Sequence, residues 1–467
     1  MAQIQQTIIG FELGPFVPTS GVNIGYLDFP NGYNTTDITT DSKRSGTYGF
    51  KGLSSGNLSA NVRLLLANTG LPAALWEMRA RFFFRIETYP SADNVVVARV
   101  GSGSIAFEFQ LQMNTTGQLR AVPSFCGNTT TAYEGSFSLN TWYQVKMRFY
   151  GEGTGGQVGA GKSSSHDVNV YSEDGQTLLA SFAESTPNGN NMPTVWPAFF
   201  YFGQDSAAGG PATAREIWYD DGWFHMATST DTATMEWPKG TKVEGYPPTA
   251  NGTTNQFSRG GVDTGANWSQ VSDIPLATGG AAQNVNSATA THVDMYQHAN
   301  LADADDVVYH IQTLSWLFDT TSPQELIIDA TSYSVTTNDA TARYAIAHQI
   351  FSNATPMESA TFNALQFGIR KLTAGGTTLT SQQQFLEVLT GPPLIIEEDL
   401  PDPGDPSAWS VTAAYSAVGD FVRESDLTIA LTGPLGFRLG NQGVEINVPS
   451  PWQIERIDVG YRDEETS

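Results

Sequence analysis

Apolar and polar residues alternate along short stretches of this chain, and turn residues separate the stretches. Ile105 to Met113 alternates, so one face of that segment is buried and the other wet. Trp142 to Tyr150 does the same, and Arg81 to Ile86 is a bulky, β-prone run. Asn114 to Gly117 reads as a turn before a returning strand over Gln118 to Val122. Val168 to Tyr171 and Thr177 to Phe182 flank Glu173-Asp174-Gly175-Gln176, a hairpin with an Asp-Gly turn. The pattern runs on to Glu216 to Phe224. Strands this frequent, with turns between them, predict a sandwich or jelly roll.

A linker is expected at Trp237-Pro238-Lys239-Gly240 and Tyr246-Pro247-Pro248. Beyond it, Val307 to Trp316, Glu325 to Ala330 and Ala342 to Phe351 read as strands, with one short helix around Glu358 to Ala364. Ile396 to Pro406 is acidic and proline-rich, so it reads as an extended linker. It lacks the regular ligand spacing of a calcium loop. The tail carries strand patterns at Trp409 to Ala414, Leu427 to Leu431, Phe437 to Leu439, Val444 to Val448 and Ile454 to Tyr461. About 60 residues is marginal for an independent core, so the tail is expected to pack on another domain or a neighbouring subunit. The chain is therefore expected to be all-β. Tandem antiparallel β-sandwiches of jelly-roll or lectin-like type would span 1–236 and 245–394, with a small β-rich C-terminal region over 407–467.

Composition narrows the function. The 467 residues include 23 Lys plus Arg and 47 Asp plus Glu, a net charge of −24. Such a surface repels nucleic acid and anionic membranes. One cysteine, Cys126, excludes an intrachain disulfide and reads as a small buried hydrophobe. The polar first residues read as no signal peptide, and no apolar run of about 18 residues is present for a membrane-spanning helix. Synthesis in the cytoplasm is expected. The Asn-x-Ser/Thr sequons at Asn34, Asn57, Asn114, Asn128, Asn251, Asn267 and Asn353 then read as turns rather than glycan sites.

Several motifs imitate chemistry. Gly156 to Ser163 matches the phosphate-binding loop, which needs a helix after its Lys-Ser pair; here a strand pattern follows. Gly151 to Gly156 imitates a dinucleotide fingerprint and Gly52 to Gly56 a nucleophile elbow, but neither has α/β surroundings. The paired carboxylates of a sandwich glucanase, Glu-x-Asp-x-x-Glu, are missing from residues 1 to 240. Glu216 and Asp220 share a strand face, and closing that strand is the better reading of them. The six histidines lack metal-ligand spacing and read as isolated hydrogen-bonding groups. No catalytic residue and no metal ligand is assigned. Trp196, Tyr201 and Trp218 are rings able to stack on sugar, although aromatics in a sandwich belong more often to the core. With Asp220 and Asp221 they form the candidate ligand-binding set.

Two resemblances sharpen the expectation. Ile9-Gly10-Phe11-Glu12, Arg44-Ser45-Gly46-Thr47-Tyr48-Gly49-Phe50, Leu139 to Tyr143 and Tyr219-Asp220-Asp221 resemble the concanavalin A-like, laminin-G-like sandwich family over residues 1 to 235. Asn267 to Pro275, Pro356 and Leu365 to Arg370 are similar to a segment of tailed-bacteriophage virion proteins over residues 245 to 372, in which the Trp opens the domain. The resemblance implies a particle component, of a kind usually left without an assigned activity, and the chain is therefore expected to be a non-enzymatic virion protein on the particle exterior, a capsid decoration, tail or fibre protein. Its partners would be other virion proteins and further copies of itself, a trimer being one reasonable assembly for such an appendage. The alternatives are a host-glycan adhesin and a polysaccharide-degrading enzyme. No cofactor is expected, calcium being the one ion the adhesin reading would admit.

Overall fold

The alternating segments fold as antiparallel strands. The computed structural model describes residues 4–12, 27–28, 38–54, 61–65, 77–101, 108–123, 130–152, 163–185, 199–203, 215–227, 240–260, 265–273, 283–318, 324–335, 343–351, 355–372, 378–393, 410–415 and 427–432. The first sandwich contains β1 (Ile4–Ile9), β2 (Leu27–Asp28), β3 (Ile38–Thr39), β4 (Gly49–Ser54), β5 (Asn61–Leu65), β6 (Glu77–Thr88), β7 (Val95–Gly101), β8 (Glu108–Met113), β9 (Leu119–Pro123), β10 (Trp142–Glu152), β11 (Ser163–Ser172), β12 (Leu178–Ser185), β13 (Phe199–Gly203) and β14 (Arg215–Ala227). One sheet has the order β12-β11-β10-β6-β14-β4-β3, with β1 also on β14; the facing sheet is β2-β5-β13-β7-β8-β9.

Every second residue of β6 from Met78 to Ile86 enters the core between these sheets, as period-two alternation demands. Phe82 meets the edges of Phe200 and Phe202 at centroid distances of 5.6 and 5.4 Å, a favoured geometry for aromatic pairs. The aromatic run before β14 thus supplies core at Phe200 and Phe202.

The second sandwich contains β15 (Lys242–Tyr246), β16 (Pro248–Asn255), β17 (Ser258–Gly260), a 3-10 helix (Asn267–Gln270), β18 (Asn284–Ser287), β19 (Val293–His298), β20 (Val307–Phe318), β21 (Gln324–Ile328), β22 (Thr331–Val335), β23 (Arg343–Ile350), α1 (Ser359–Ala364), β24 (Phe367–Lys371) and β25 (Leu379–Gly391). Its sheets are β17-β18-β25-β20-β23, with β15 also on β25, and β16-β19-β24-β21-β22. Tyr246, Ile311, Leu326, Phe362, Phe367 and Val388 lie in the core between them.

The second sandwich opens earlier than the prolines suggest. Tyr246-Pro247-Pro248 joins two strands instead of forming a linker. Lys242 to Tyr246 pairs with Thr390 to Leu386 of β25, and Pro248 takes the first position of β16, where a missing N–H is tolerated. Trp268 lies in the 3-10 helix after three strands and does not open the domain.

Both sandwiches use one long strand to hold two shorter ones on a single edge. On β14, Arg215 to Tyr219 pairs with β4 and Gly222 to Ala227 with β1. On β25, Leu379 to Ser381 pairs with β18 and Leu386 to Thr390 with β15. The two sandwiches belong to one compact unit, residues 1–302 with 306–392. Leu314, Trp316 and Phe385 of the second sandwich join the core cluster that holds Ile9 and Phe11 of the first.

The phosphate-loop imitation ends at Ser163, which starts β11 and pairs antiparallel with Glu152 of β10. A strand, not a helix, therefore follows Lys162; residues 153–162 lie outside the described residues. Gly52 to Ser54 of the elbow imitation belongs to β4. In the C-terminal unit, β26 (Ser410–Tyr415) pairs antiparallel with β27 (Leu427–Thr432). The three later strand patterns of the tail, and Cys126, lie outside the described residues.

Candidate functional site

The site begins at a bulge. Asp220 of β14 opposes Phe83 and Trp223 opposes Arg81, so β14 carries an extra residue where it changes partner from β4 to β1. Asp221 has φ 51°, a left-handed conformation that Asp adopts more readily than most residues. A bulge re-aims side chains, and this one turns two consecutive carboxylates inward. Asp220 is 1% exposed and Asp221 0%.

The segment before β4 wraps these carboxylates. Arg44 and Ser45 donate their backbone N–H groups to Asp220 Oδ2 at 2.7 and 3.1 Å. Arg44 Nη1 reaches Asp221 Oδ2 at 2.6 Å, and Ser45 Oγ donates to Asp221 Oδ1 at 2.7 Å. Thr47 N–H lies 2.9 and 3.0 Å from the two oxygens of Glu12, and Tyr48 N–H donates to Oε1 at 3.3 Å. Gly46 sits at φ +59° against Glu12, in space a Cβ would occupy. The Arg44 guanidinium also lies 3.7 Å over Phe83 and 3.3 Å from Glu173.

The second sandwich completes the network. Val243 N–H donates to Asp221 Oδ1 at 2.5 Å, and Arg81 Nη1 donates to Thr241 Oγ1. Gln312 Nε2 donates to Ile8 O at 3.2 Å and to Glu387 Oε2 at 2.9 Å; Glu387 Oε1 accepts from Gly10 N–H at 3.4 Å. The short motifs at Gly10 to Glu12, Arg44 to Tyr48 and Asp220-Asp221 thus meet in one buried polar joint.

The joint is crowded with acids. Burial, and then the charges of Glu387 and Asp221, push the Glu12 carboxyl well above its ordinary range, although two backbone N–H groups oppose the shift. Burial, then Asp221 and Glu12, raise Asp220 in the same way. Burial pushes Arg81 down to about 9, with Asp221 opposing. A carboxyl whose folded pKa is raised favours the fold below its unfolded pKa, and that contribution is lost as pH rises through the folded value. Glu12→Gln keeps an acceptor for Thr47 and removes the buried charge. Its stability relative to the wild type should therefore improve as pH rises from about 5 to 8, by at most about 1.4 kcal/mol per pH unit. Urea unfolding at both pH values measures this, and parallel pH profiles would contradict it.

Asp220 and Asp221 therefore serve the joint and do not face solvent. Tyr201 is 5% exposed, beneath the Arg99 guanidinium at 5.2 Å. Trp196 lies outside the described residues. Among the described members of the candidate set, Trp218 is the one that stays half-buried at the surface. Its Nε1 donates to Glu216 Oε1 at 2.9 Å, and the Arg85 guanidinium lies 4.7 Å over its ring. Lys51 Nζ reaches the same Glu216 oxygen at 2.7 Å. Glu216 and Asp220 thus serve separate hydrogen-bond networks. Asn267 spends its amide on Phe257 O and on Asp294, so that sequon is buried. His292 bonds Ser287 and His298 bonds Ala299 O, while His310 and His348 contact each other across neighbouring strands. Among the described residues, no group of three or more His, Cys, Asp or Glu could hold a metal ion. Among the same residues, no helix is long and apolar enough to cross a membrane.

No protein-family model and no curated protein sequence matches the chain. Solved structures similar to it include an alginate lyase from a Chlorella virus, at 8% identity and TM-score 0.31, over 43% of this chain and 92% of that one. Peanut lectin is similar at 11% identity and TM-score 0.29, over 48% and 98%. A carbohydrate esterase of the Shiga toxin-encoding bacteriophage phi24B is similar at 13% identity and TM-score 0.28, over 44% and 91%. The tandem antiparallel sandwich architecture of this chain stands on its own strand pairing.

Proposed function

We propose that this chain is a non-enzymatic structural protein of a tailed-bacteriophage particle, displayed on the exterior as a capsid decoration, tail or fibre component. The observation that carries the structural reading is the joint. Glu12, Asp220, Asp221 and Glu387 are buried and hydrogen-bonded within the protein, and Asp220 and Asp221 face away from solvent. Their chemistry holds two sandwiches together. The particle reading rests on Asn267 to Pro275 and Leu365 to Arg370 of the sequence. Many copies on one particle would turn weak contacts into lasting attachment. Mass spectrometry of purified particles tests this reading: the chain should co-purify at a fixed copy number. Its absence from intact particles would end the proposal.

A second reading, glycan contact by the first sandwich, is favoured by Trp218. Its half-buried ring lies under the Arg85 guanidinium with Nε1 bonded to Glu216, an aromatic surface set among polar groups of the kind that line sugar sites. On a glycan array, Trp218→Ala should lose at least about tenfold in binding, the equivalent of about 1.4 kcal/mol, while its circular dichroism stays unchanged. Equal binding by the variant and the wild type would remove this surface from consideration. Release of reducing ends from a polysaccharide that disappears in Glu216→Gln would instead mark an enzyme.

A further inference from the structure

The joint contains a titratable device that the acid network does not use. On the face of its sheet that meets the first sandwich, successive rungs pair Ile350, His310 and Leu389, then His348, Gln312 and Glu387, then Ile346, Leu314 and Phe385. Gln312 at the centre grips both backbone groups of Ile8: its Oε1 accepts from Ile8 N–H at 3.4 Å and its Nε2 donates to Ile8 O. His310 Nε2 and His348 Nδ1 lie 3.1 Å apart beside it. His310 is 0% exposed, and its Nδ1 makes no hydrogen bond. His348 is half-buried on β23, which ends the sheet order.

We propose that the His310–His348 pair is an acid-sensitive latch on the joint between the two sandwiches. A neutral pair shares one N–H between the facing nitrogens, and that contact is a hydrogen bond. When both rings are protonated, both facing nitrogens carry hydrogen and the contact becomes repulsive. The second N–H of His310 would also lack an acceptor at full burial. The carboxylate nearest in register is Glu387, already bound to Gln312 and Gly10, with Glu12 beyond it. β1 carries no ionisable residue, and β15 presents Val243 and Gly245. Lys242 and Glu244 pair with each other and, through Lys242, with Asp306. Glu325 and Tyr333 belong to the sheet on the other side of the second core. Among the described residues named here, each acid is already engaged.

The sign follows from burial. Desolvation, and then His348, push His310 well below the ordinary imidazole value, and burial brings His348 to about 4. A depressed pKa in the closed joint means that the latch contributes fully above about pH 6.5. That contribution is lost as pH falls toward 4. Glu12 and Asp220 act in the opposite direction, since their raised values favour the closed joint in acid. The histidine contribution is therefore read as a difference between proteins.

Hydrogen exchange of the full chain tests this. Exchange over residues 4–12, corrected for the intrinsic pH dependence, should accelerate between pH 6.5 and 4.5 by up to about tenfold per pH unit for each proton taken up on opening. The β8–β9 hairpin of the same sandwich serves as the internal reference and should keep its protection. His310→Gln/His348→Gln should flatten the profile over 4–12. His348→Asn alone makes the same comparison with less disturbance of the core. Variants whose profiles over 4–12 coincide with that of the wild type down to pH 4.5 would overturn the latch.

Discussion

Asp221→Ala should lower the unfolding free energy by about 3–5 kcal/mol, because it removes a fully buried carboxylate on which several donors of the joint converge. Arg44 would lose its contact at 2.6 Å, and Ser45 Oγ and Val243 N–H would lose their acceptor. An exposed ion pair would contribute at most about 1 kcal/mol, so the size of the effect distinguishes a buried joint from a surface cluster. Chemical denaturation of the variant and the wild type at pH 7 checks it. A loss below about 1 kcal/mol would place Asp221 in solvent.

Phe385→Ala should cost a similar amount, about 3–5 kcal/mol, through the cavity it leaves. Its consequence differs from that of a mutation within one core. Phe385 belongs to β25 of the second sandwich, is fully buried, and packs in the cluster built by Ile9, Phe11 and the first sandwich. The cavity opens at the contact between the sandwiches. Calorimetry should therefore resolve a single transition of the wild type into two, each sandwich melting separately. One broadened but undivided transition would mean that the two cores unfold together whatever happens between them.

Much of the fold was legible because alternation is a local signal. Arg81 to Ile86, Trp142 to Tyr150 and the Asp-Gly hairpin lie within β6, β10 and β11–β12, and the short helix falls at Ser359–Ala364. The start of the second sandwich was hidden, because Pro247-Pro248 reads as punctuation while Lys242 to Tyr246 depends on a partner 140 or more residues away at Thr390 to Leu386. The site was legible as separate words but not as a sentence. Glu12, Arg44 and Asp221 each stand in a recognisable motif, yet only the bulge at Asp220 to Trp223 decides that the carboxylates turn inward. Read along the strand alone, Asp220 and Asp221 are polar residues beside an aromatic run, the composition of a sugar site. His310 and His348 lie 38 residues apart on neighbouring strands, and no spacing rule joins them. Gln312 and Glu387 escaped notice for the same reason.

A double-mutant cycle on Arg44 and Asp221 tests the joint most directly. Unfolding free energies of Arg44→Met, Asp221→Asn and the double variant, set against the wild type, should give a coupling of about 2–3 kcal/mol, as expected for groups sharing one buried network. Additivity within about 0.5 kcal/mol would show that the two side chains do not depend on each other and would contradict the buried joint.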